Sequence, residues 1–381
     1  MKIKTVGTLI LFAGSCVPLL SGQDAGKAKG EWLAYVGTYT RPPSQGIYAW
    51  RFQPASGKLT PLGLAAETSN PTFLAVHPNQ RFLYAANEDR TGTISAFAID
   101  PANGRLKLLN QVPSRGSGPC HVAVDPAGKW VFAANYNSGS VAVFPVHEDG
   151  TLGEATGFVQ HVGSSVNVQR QSGPHAHSAN VSPDGRWLLV ADLGLDQILS
   201  YRVDAVKGTL SAGDPPFTKV APGSGPRHLA FGRSGRFAYA ISEMLSTVTV
   251  FRYNSARGSL EELQTAPVTP EGYTGPKSSA EIAVDPGGKF LYGSNRGDST
   301  IAVFRIDADK GTLTAVERVS TQGKTPRNFA IDPSGAFLFA ANQDSGNVVV
   351  FRVDPATGRL TPAGNVLEVA SPVCIVFAAA R

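Results

Sequence analysis

Short runs of alternating apolar and polar residues fill this chain, and a pattern of such runs recurs about every 50 residues. In each copy, one run passes through a turn rich in Pro and Gly into a second run rich in aromatic residues. The six copies are AVHPNQRFLYAANE, AVDPAGKWVFAANY, NVSPDGRWLLVADL, AFGRSGRFAYAISE, AVDPGGKFLYGSNR and AIDPSGAFLFAANQ. Alternation with a period of two is typical of β-strands, so each copy is predicted to be a hairpin.

A third apolar run follows each hairpin, and a Gly-Xaa-Leu turn then usually leads into a fourth. The third runs are TISAFAID, SVAVFPV, QILSYRVD, TVTVFRY, TIAVFRID and NVVVFRVD. No long amphipathic helix pattern interrupts them. Four strands in each unit of this length predict an all-β fold, namely a β-propeller.

The two ends of the chain together supply one more unit. Near the N-terminus, WLAYVGTYT, GIYAWRF and GKLTPLG match the second, third and fourth strands, and SPVCIVFAAA at the C-terminus matches the missing first strand. Pairing them closes the ring and removes its exposed sheet edges. The sequence therefore predicts one domain over residues 31–381, with seven four-stranded blades, the last closed by the N- and C-terminal strands.

The first residues are typical of a secretory signal. Lys2 and Lys4 precede an apolar run that is too short and too interrupted to span a membrane, and small residues follow it. We expect residues 1–22 to be a cleaved signal peptide and the protein to be periplasmic or secreted, with no membrane segment after cleavage; an uncleaved anchor is the alternative. Cys120 and Cys374 lie in non-adjacent repeats, so they are expected to be buried free thiols.

The composition limits the kinds of molecule that the protein is expected to bind. The chain is 42% hydrophobic and 17% charged, which suits a large core, and the formal net charge of +5 is mild. No run of Lys and Arg indicates nucleic-acid binding. No phosphate-binding glycine loop or serine-nucleophile motif is present, and no cofactor is predicted. We expect a monomer that acts on a small anionic molecule.

Two repeat positions carry unusual polar residues. The start of each first strand and the end of each second strand lie at the same end of the ring, because these strands are antiparallel. In some units these positions are small or apolar, whereas in others they are ionisable. The ionisable members taken as candidates for the site are His177, Arg227, His228, Glu243, Glu281, Arg296 and Arg327. Grouped at one mouth of the channel, they predict an anion site.

Zinc is an alternative explanation for the histidines. His175 and His177 are one residue apart on a segment that is predicted to be extended, so they point the same way, and His121, His228 and Glu243 are further candidate ligands. The neighbouring arginines would repel a cation, so no metal site is predicted. The remaining histidines, His77, His147 and His161, are expected to be ordinary turn or surface residues.

Four segments give a resemblance to a known family. They are GPHAHSANVSPDGRWLLVADLG, GSGPRHLAFGRSGRFAYAISE, SSAEIAVDPGGKFLYGSNRG and GKTPRNFAIDPSGAFLFAANQDSGNVVVFRVD. Together they resemble the seven-bladed propeller lactonases, which include propeller-type 6-phosphogluconolactonases and carboxymuconate-lactonizing enzymes. The resemblance implies an active site at the propeller mouth, carried here by His177, Arg227, Glu243, Arg296 and Arg327.

These residues suggest hydrolysis of a sugar lactone or a related anionic lactone. Either Glu243 or His177 is expected to act as general base, and Arg227 to stabilise the oxyanion. Arg296 and Arg327 would hold a carboxylate or phosphate. His175, His228 and Glu281 are further predicted substrate-binding residues. Two alternatives stay open, namely cycloisomerisation of a carboxymuconate and a secreted propeller that only binds a ligand or protein.

Overall fold

The computed structural model describes residues 30–380, in which every regular element is a β-strand. The 28 strands form seven four-stranded antiparallel sheets. The predicted all-β, seven-bladed propeller is therefore confirmed. The predicted signal peptide, residues 1–22, lies outside the described residues. Within them, no helix has the length and apolar character needed to cross a bilayer.

The blades are numbered 1 to 7 around the ring, and their strands are given from the innermost to the outermost. Blade 1 contains β28 (Pro372–Ala379), β1 (Trp32–Thr38), β2 (Gly46–Gln53) and β3 (Lys58–Glu67). Blade 2 contains β4 (Pro71–Val76), β5 (Phe82–Asn87), β6 (Thr93–Ile99) and β7 (Leu106–Pro113). Blade 3 contains β8 (Pro119–Val124), β9 (Trp130–Asn135), β10 (Ser140–Pro145) and β11 (Gly157–Gln160). Blade 4 contains β12 (Ala176–Val181), β13 (Trp187–Asp192), β14 (Gln197–Val203) and β15 (Leu210–Lys219). Blade 5 contains β16 (Pro226–Phe231), β17 (Phe237–Ser242), β18 (Thr247–Asn254) and β19 (Ser259–Pro267). Blade 6 contains β20 (Ser279–Val284), β21 (Phe290–Asn295), β22 (Thr300–Ile306) and β23 (Leu313–Ser320). Blade 7 contains β24 (Pro326–Ile331), β25 (Phe337–Asn342), β26 (Asn347–Val353) and β27 (Leu360–Glu368).

Blade 1 closes the ring as the sequence predicts. Its innermost strand, β28, pairs with β1 from the other end of the chain, and the innermost strands contact one another around the whole ring. Phe52 of blade 1 packs edge-on against Phe337 and Phe339 of blade 7, with ring centroids 5.3 and 5.1 Å apart. Each such aromatic pair contributes roughly 0.5–1.5 kcal/mol beyond simple burial, so this contact helps to hold the two chain ends together.

The hydrophobic core lies between the blades. Every residue of each second strand from β5 to β25 is buried. Each of the seven apolar clusters draws its residues mainly from two neighbouring blades. Both faces of each inner sheet are therefore covered, which explains the nearly continuous apolar runs in the second strands.

The turn between the first and second strands is specified locally. In blade 3, Asp125 Oδ1 accepts hydrogen bonds from the amides of Lys129 (2.6 Å) and Trp130 (2.7 Å). Gly128 has φ of +71°, a conformation that glycine adopts without steric cost. The Asp-Pro-Xaa-Gly sequence thus supplies both the acceptor and the left-handed residue that the turn needs.

A β-bulge opens each first strand and directs side chains to the channel. In blade 5, Pro226 pairs with Ser242 and His228 with Ile241, which leaves Arg227 unpaired. The same irregularity leaves His177 and Arg327 unpaired in blades 4 and 7. Because the extra residue disturbs the alternation of the strand, two successive side chains, such as Arg227 and His228, line the same axial space.

Several smaller expectations are resolved by the packing. Cys120 and Cys374 are buried free thiols, as predicted. His147 is exposed, but His161 is buried, and its Nδ1 lies 2.6 Å from Asp192 Oδ2 in the next blade. The expectation that His161 is an ordinary turn or surface residue was therefore wrong, because the neighbouring blade covers it. His77 is a buried turn residue whose Nε2 lies 2.8 Å from the carbonyl oxygen of Gly128.

Candidate active site

A cavity of about 330 Å³ lies at one mouth of the channel, where the first strands begin and the second strands end. Four of the residues predicted for the site line it: His177, Glu243, Arg296 and Arg327. Its complete lining is Glu88, Cys120, Tyr136, Arg170, His177, Glu243, Ser278, Arg296 and Arg327. The mouth is therefore open and polar rather than plugged by aromatic side chains.

Glu243 is the centre of a cluster of arginines. Its Oε2 lies 2.8 Å from Arg296 Nη2 and 3.3 Å from Arg227 Nε, and its Oε1 accepts a 2.8 Å bond from Arg170 Nη2. Burial alone would raise the pKa of Glu243, but the three guanidinium groups outweigh it and lower the pKa to about 2. The carboxylate is thus ionised and occupied on both oxygens, which makes it a weak base.

Arg296 is fixed by its backbone neighbours as well as by Glu243. Its Nε donates to the carbonyl oxygen of Ser278 at 3.2 Å, and its Nη2 donates to that of Ser279 at 3.4 Å. Burial lowers the pKa of Arg296, while Glu243 opposes this effect. The guanidinium therefore presents a fixed positive charge to the cavity.

Arg327 is held much more loosely. Among residues 30–380, its guanidinium makes no hydrogen bond and no ion pair, and its carbon lies 5.6 Å from the centre of the Tyr39 ring. Burial favours loss of its proton, but the nearby Tyr39, Glu88 and Glu243 outweigh this effect and raise the pKa of Arg327. Arg327 therefore has its donors available for an anion or a developing oxyanion.

His177 combines burial with access to the cavity. Its side chain lines the cavity, and its Nδ1 lies 3.8 Å from Cys120 Sγ. Burial lowers the pKa of His177 well below 6.5, and the positive charge of Arg227 and the neighbouring His228 lower it further. The imidazole is therefore neutral near pH 7 and has a lone pair with which to accept a proton.

Three predicted site residues lie deeper along the axis. Arg227, His228 and Glu281 do not line the cavity but border an axial space of only about 10 Å³. Arg227 Nη1 donates to the carbonyl oxygen of Ala280 at 2.8 Å and lies 3.3 Å from His228 Nε2. His228 Nδ1 donates to Glu281 Oε1 at 3.0 Å, and Glu281 Oε2 accepts from Asn328.

This deeper layer is a closed polar network. The axial space is about as large as one water molecule requires, so it cannot hold a lactone ring. Burial lowers the pKa of His228, and burial together with Arg327 and Arg296 lowers the pKa of Arg227 to about 10. His228 and Glu281, predicted to bind substrate, and Arg227, predicted to stabilise the oxyanion, thus border the small axial space and not the larger cavity. Of the three equivalent bulge residues, His177 and Arg327 line the cavity, whereas Arg227 borders only the axial space.

His175 also lies outside the cavity lining. Its ring stacks on Tyr136 with centroids 4.5 Å apart, and its Nδ1 lies 2.9 Å from the Tyr136 carbonyl oxygen. His175 precedes β12, whereas His177 is the bulge residue within it, and both rings pack against Tyr136. His175, predicted to bind substrate, thus contacts Tyr136, which itself lines the cavity. Within residues 30–380, no group of three or more His, Cys, Asp or Glu side chains is arranged to hold a metal.

Sequence reasoning missed four polar residues of the cavity: Glu88, Tyr136, Arg170 and Ser278. Glu88 and Tyr136 each follow a second strand, so they occupy the same repeat position as Glu243 and were open to detection by that comparison. Arg170 comes from the long loop between β11 and β12. It has no equivalent in the other repeats, so the period of the sequence carried no signal for it.

Comparison with known proteins agrees with this architecture. The model of a family described as "Lactonase, 7-bladed beta-propeller" matches residues 33–377. A 6-phosphogluconolactonase of Bacillus subtilis is 39% identical over 300 residues, which cover 78% of this chain and 84% of the relative. One from Formosa agariphila is 37% identical over 302 residues, with 77% of this chain and 84% of the relative covered.

A solved structure extends the similarity to nearly the whole chain. The periplasmic gluconolactonase PpgL of Pseudomonas aeruginosa superposes with a TM-score of 0.87 and 37% identity. The match covers 92% of this chain and 100% of PpgL. The similarity therefore includes all the blades that surround the cavity.

Proposed function

Since this chain belongs to the seven-bladed β-propeller lactonase family, we propose that it is an enzyme that hydrolyses a sugar lactone in the cavity at the channel mouth. The observation that carries the proposal is the lining of this cavity, where a neutral His177 and the donors of Arg296 and Arg327 share one open space. Lactone hydrolysis needs a proton acceptor and a group that stabilises negative charge, and these residues supply both.

His177 is the general base in this mechanism. It takes a proton from a water molecule as the water oxygen attacks the ring carbonyl carbon and the carbonyl electrons move to the oxygen. When the tetrahedral intermediate collapses, the bond between the carbonyl carbon and the ring oxygen breaks. The imidazolium of His177 returns its proton to the departing alkoxide, so the products are one hydroxy acid and the regenerated enzyme.

Arg327 and Arg296 stabilise the oxyanion. The guanidinium of Arg327 has free donors, and that of Arg296 is fixed by two backbone carbonyl oxygens. Donors that are already in place where negative charge develops typically lower the barrier by about 3 kcal/mol each. Arg227 acts indirectly in this scheme, because it holds Glu243 from below and adds positive charge that keeps His177 neutral.

Glu243 positions the arginines and does not act as the base. Its oxygens are already bound by Arg170, Arg227 and Arg296, and its pKa of about 2 makes proton uptake near pH 7 unfavourable. The pKa of His177 is lowered as well, but within residues 30–380 His177 makes no ion pair that occupies its ring, so His177 is the preferred base. Arg170 at the rim is the group best placed to meet a further anionic substituent of the substrate.

We place the mature protein in the periplasm. The basic and then apolar pattern of residues 1–22 supports export, and the related structure of PpgL is that of a periplasmic gluconolactonase. In that compartment, an unphosphorylated aldonolactone is a more accessible substrate class than a phosphorylated one.

The experiment is a lactone panel assayed with a pH indicator, because each hydrolysis yields a carboxylic acid. We expect glucono-δ-lactone to be consumed above its spontaneous rate. His177→Ala should lower kcat by roughly 10²- to 10⁴-fold, the usual contribution of a general base. His147→Ala, which removes an exposed histidine, is the matched control and should leave kcat unchanged.

Two results would contradict the proposal. One is unchanged lactone turnover by the His177→Ala variant, which would remove the assigned base. The other is turnover of a carboxymuconate with no turnover of any lactone, which would favour the cycloisomerase alternative.

A further inference from the structure

The cavity has two chemically different sides. On one side, the guanidinium groups of Arg170 and Arg296 surround Glu243. On the other side, Glu88 lines both the cavity and the small axial space beneath it. The proposed mechanism uses the arginine side and leaves Glu88 without a role.

Neutral hydroxyl groups make the hydrogen bonds to Glu88, while the charge of Arg327 acts on its carboxylate from a greater distance. Tyr39 Oη donates to its two oxygens at 3.1 and 3.0 Å, and Thr72 Oγ1 donates to Oε2 at 2.7 Å. Within residues 30–380, no arginine, lysine or histidine lies within 4 Å of this carboxylate. Glu88 is only partly buried, so its carboxylate is accessible from the cavity.

The carboxylate retains capacity for additional donors. An ionised carboxylate has about four acceptor positions, and two hydroxyl groups leave some of them free. A free acceptor on a cavity wall is suited to a ligand that brings hydrogen-bond donors of its own. An aldonolactone has such donors in its ring hydroxyl groups, whereas its carbonyl oxygen only accepts.

We infer that Glu88 binds the hydroxyl groups of the sugar lactone and is the residue that favours polyhydroxylated lactones over lactones with unsubstituted rings. This inference rests on the proposed lactone hydrolysis. It also orients the substrate in the cavity: the carbonyl faces Arg296, the hydroxyl-bearing edge faces Glu88, and Arg327 lies near Glu88. Glu88 is a binding residue in this arrangement and takes no proton.

The test compares glucono-δ-lactone with δ-valerolactone, which has the same ring size and no hydroxyl groups. Glu88→Gln keeps the shape of the side chain but removes its charge. A hydrogen bond to a charged acceptor typically contributes enough for at least a tenfold effect, so kcat/KM for glucono-δ-lactone should fall about tenfold. The kcat/KM for δ-valerolactone should differ less than about twofold between Glu88→Gln and the wild type. If δ-valerolactone is not turned over, its inhibition constant should differ less than about twofold instead.

Two further variants keep the result interpretable. Glu261→Gln changes an exposed glutamate whose side chain is 66% accessible, and it should affect neither lactone. Glu88→Asp keeps the charge but withdraws it by one methylene group, and it should produce the same selective loss if the Gln variant does not fold.

The possible outcomes separate the inference from the function on which it rests. Equal losses on both lactones would overturn the inference, because they would place Glu88 in the chemical step or in general charge balance. No loss on either lactone would overturn it as well. If the wild-type protein hydrolyses no lactone of the panel, the proposed function itself fails.

Discussion

Glu88 and Glu243 occupy equivalent positions in blades 2 and 5, yet their surroundings are opposite. Each directly follows its second strand, β5 or β17. The residue at the bulge of the same blade is Thr72 next to Glu88 and Arg227 next to Glu243. The repeat thus delivers a carboxylate to the same rim twice, and the residue types that neighbour it determine what each carboxylate does.

The difference shows how a symmetric scaffold produces an asymmetric site. The backbone geometry is the same in both blades, since each first strand begins with a bulge. The carboxylate of Glu243 is neutralised by three arginines, whereas that of Glu88 can still accept hydrogen bonds from a ligand. Substitutions at the two positions should therefore have very different consequences.

The largest expected difference concerns stability. Glu243→Gln would leave Arg227 and Arg296 without their shared counter-charge in a buried setting, and breaking such a cluster typically costs about 3–5 kcal/mol. Glu88→Gln keeps an acceptor for its two hydroxyl donors and should cost less than about 1 kcal/mol. Urea unfolding of both variants at pH 7 measures the two effects, and equal losses would contradict the comparison.

The next effect is the pH dependence of the Glu243 contribution. Its pKa falls from an ordinary value of 4.5 to about 2 in the folded protein, so folding favours the ionised form. The contribution is fully present above about pH 4.5 and is lost as the pH falls toward 2. The difference in unfolding free energy between wild type and Glu243→Gln should therefore narrow over this interval. A difference that stays constant from pH 7 to pH 3 would show that the carboxylate is not held ionised by its arginines.

The smallest expected effect is that of the rim arginine. The side chain of Arg170 is 44% exposed, and exposed ion pairs contribute about 0–1 kcal/mol. Arg170→Gln should therefore change stability little, while it lowers kcat/KM by up to about tenfold through the loss of its contacts with Glu243 and Tyr136. Arg186→Gln removes a similarly exposed arginine that pairs with Asp184 and should leave kcat/KM unchanged. A loss of stability as large as that of Glu243→Gln would place Arg170 in the structural core of the cluster.

The repeat made the mouth of the site predictable. His177, Glu243, Arg296 and Arg327 were identified because each is ionisable at a position where other blades have small or apolar residues, and all four line the cavity. The depth of each side chain was not predictable in this way. His228 and Glu281 follow a bulge residue by one position, and the bulge directs them to the layer below the cavity.

The sequence by itself determined the number of blades, the strand order and the closure of the ring, because these depend on local alternation, on turn residues and on a period repeated along the chain. Only the tertiary structure decided which residues share the cavity. Arg170 reaches Glu243 from a loop of another blade, and His161 is covered by its neighbouring blade. Such contacts join residues that are distant in sequence and depend on how the blades pack, which no local pattern encodes.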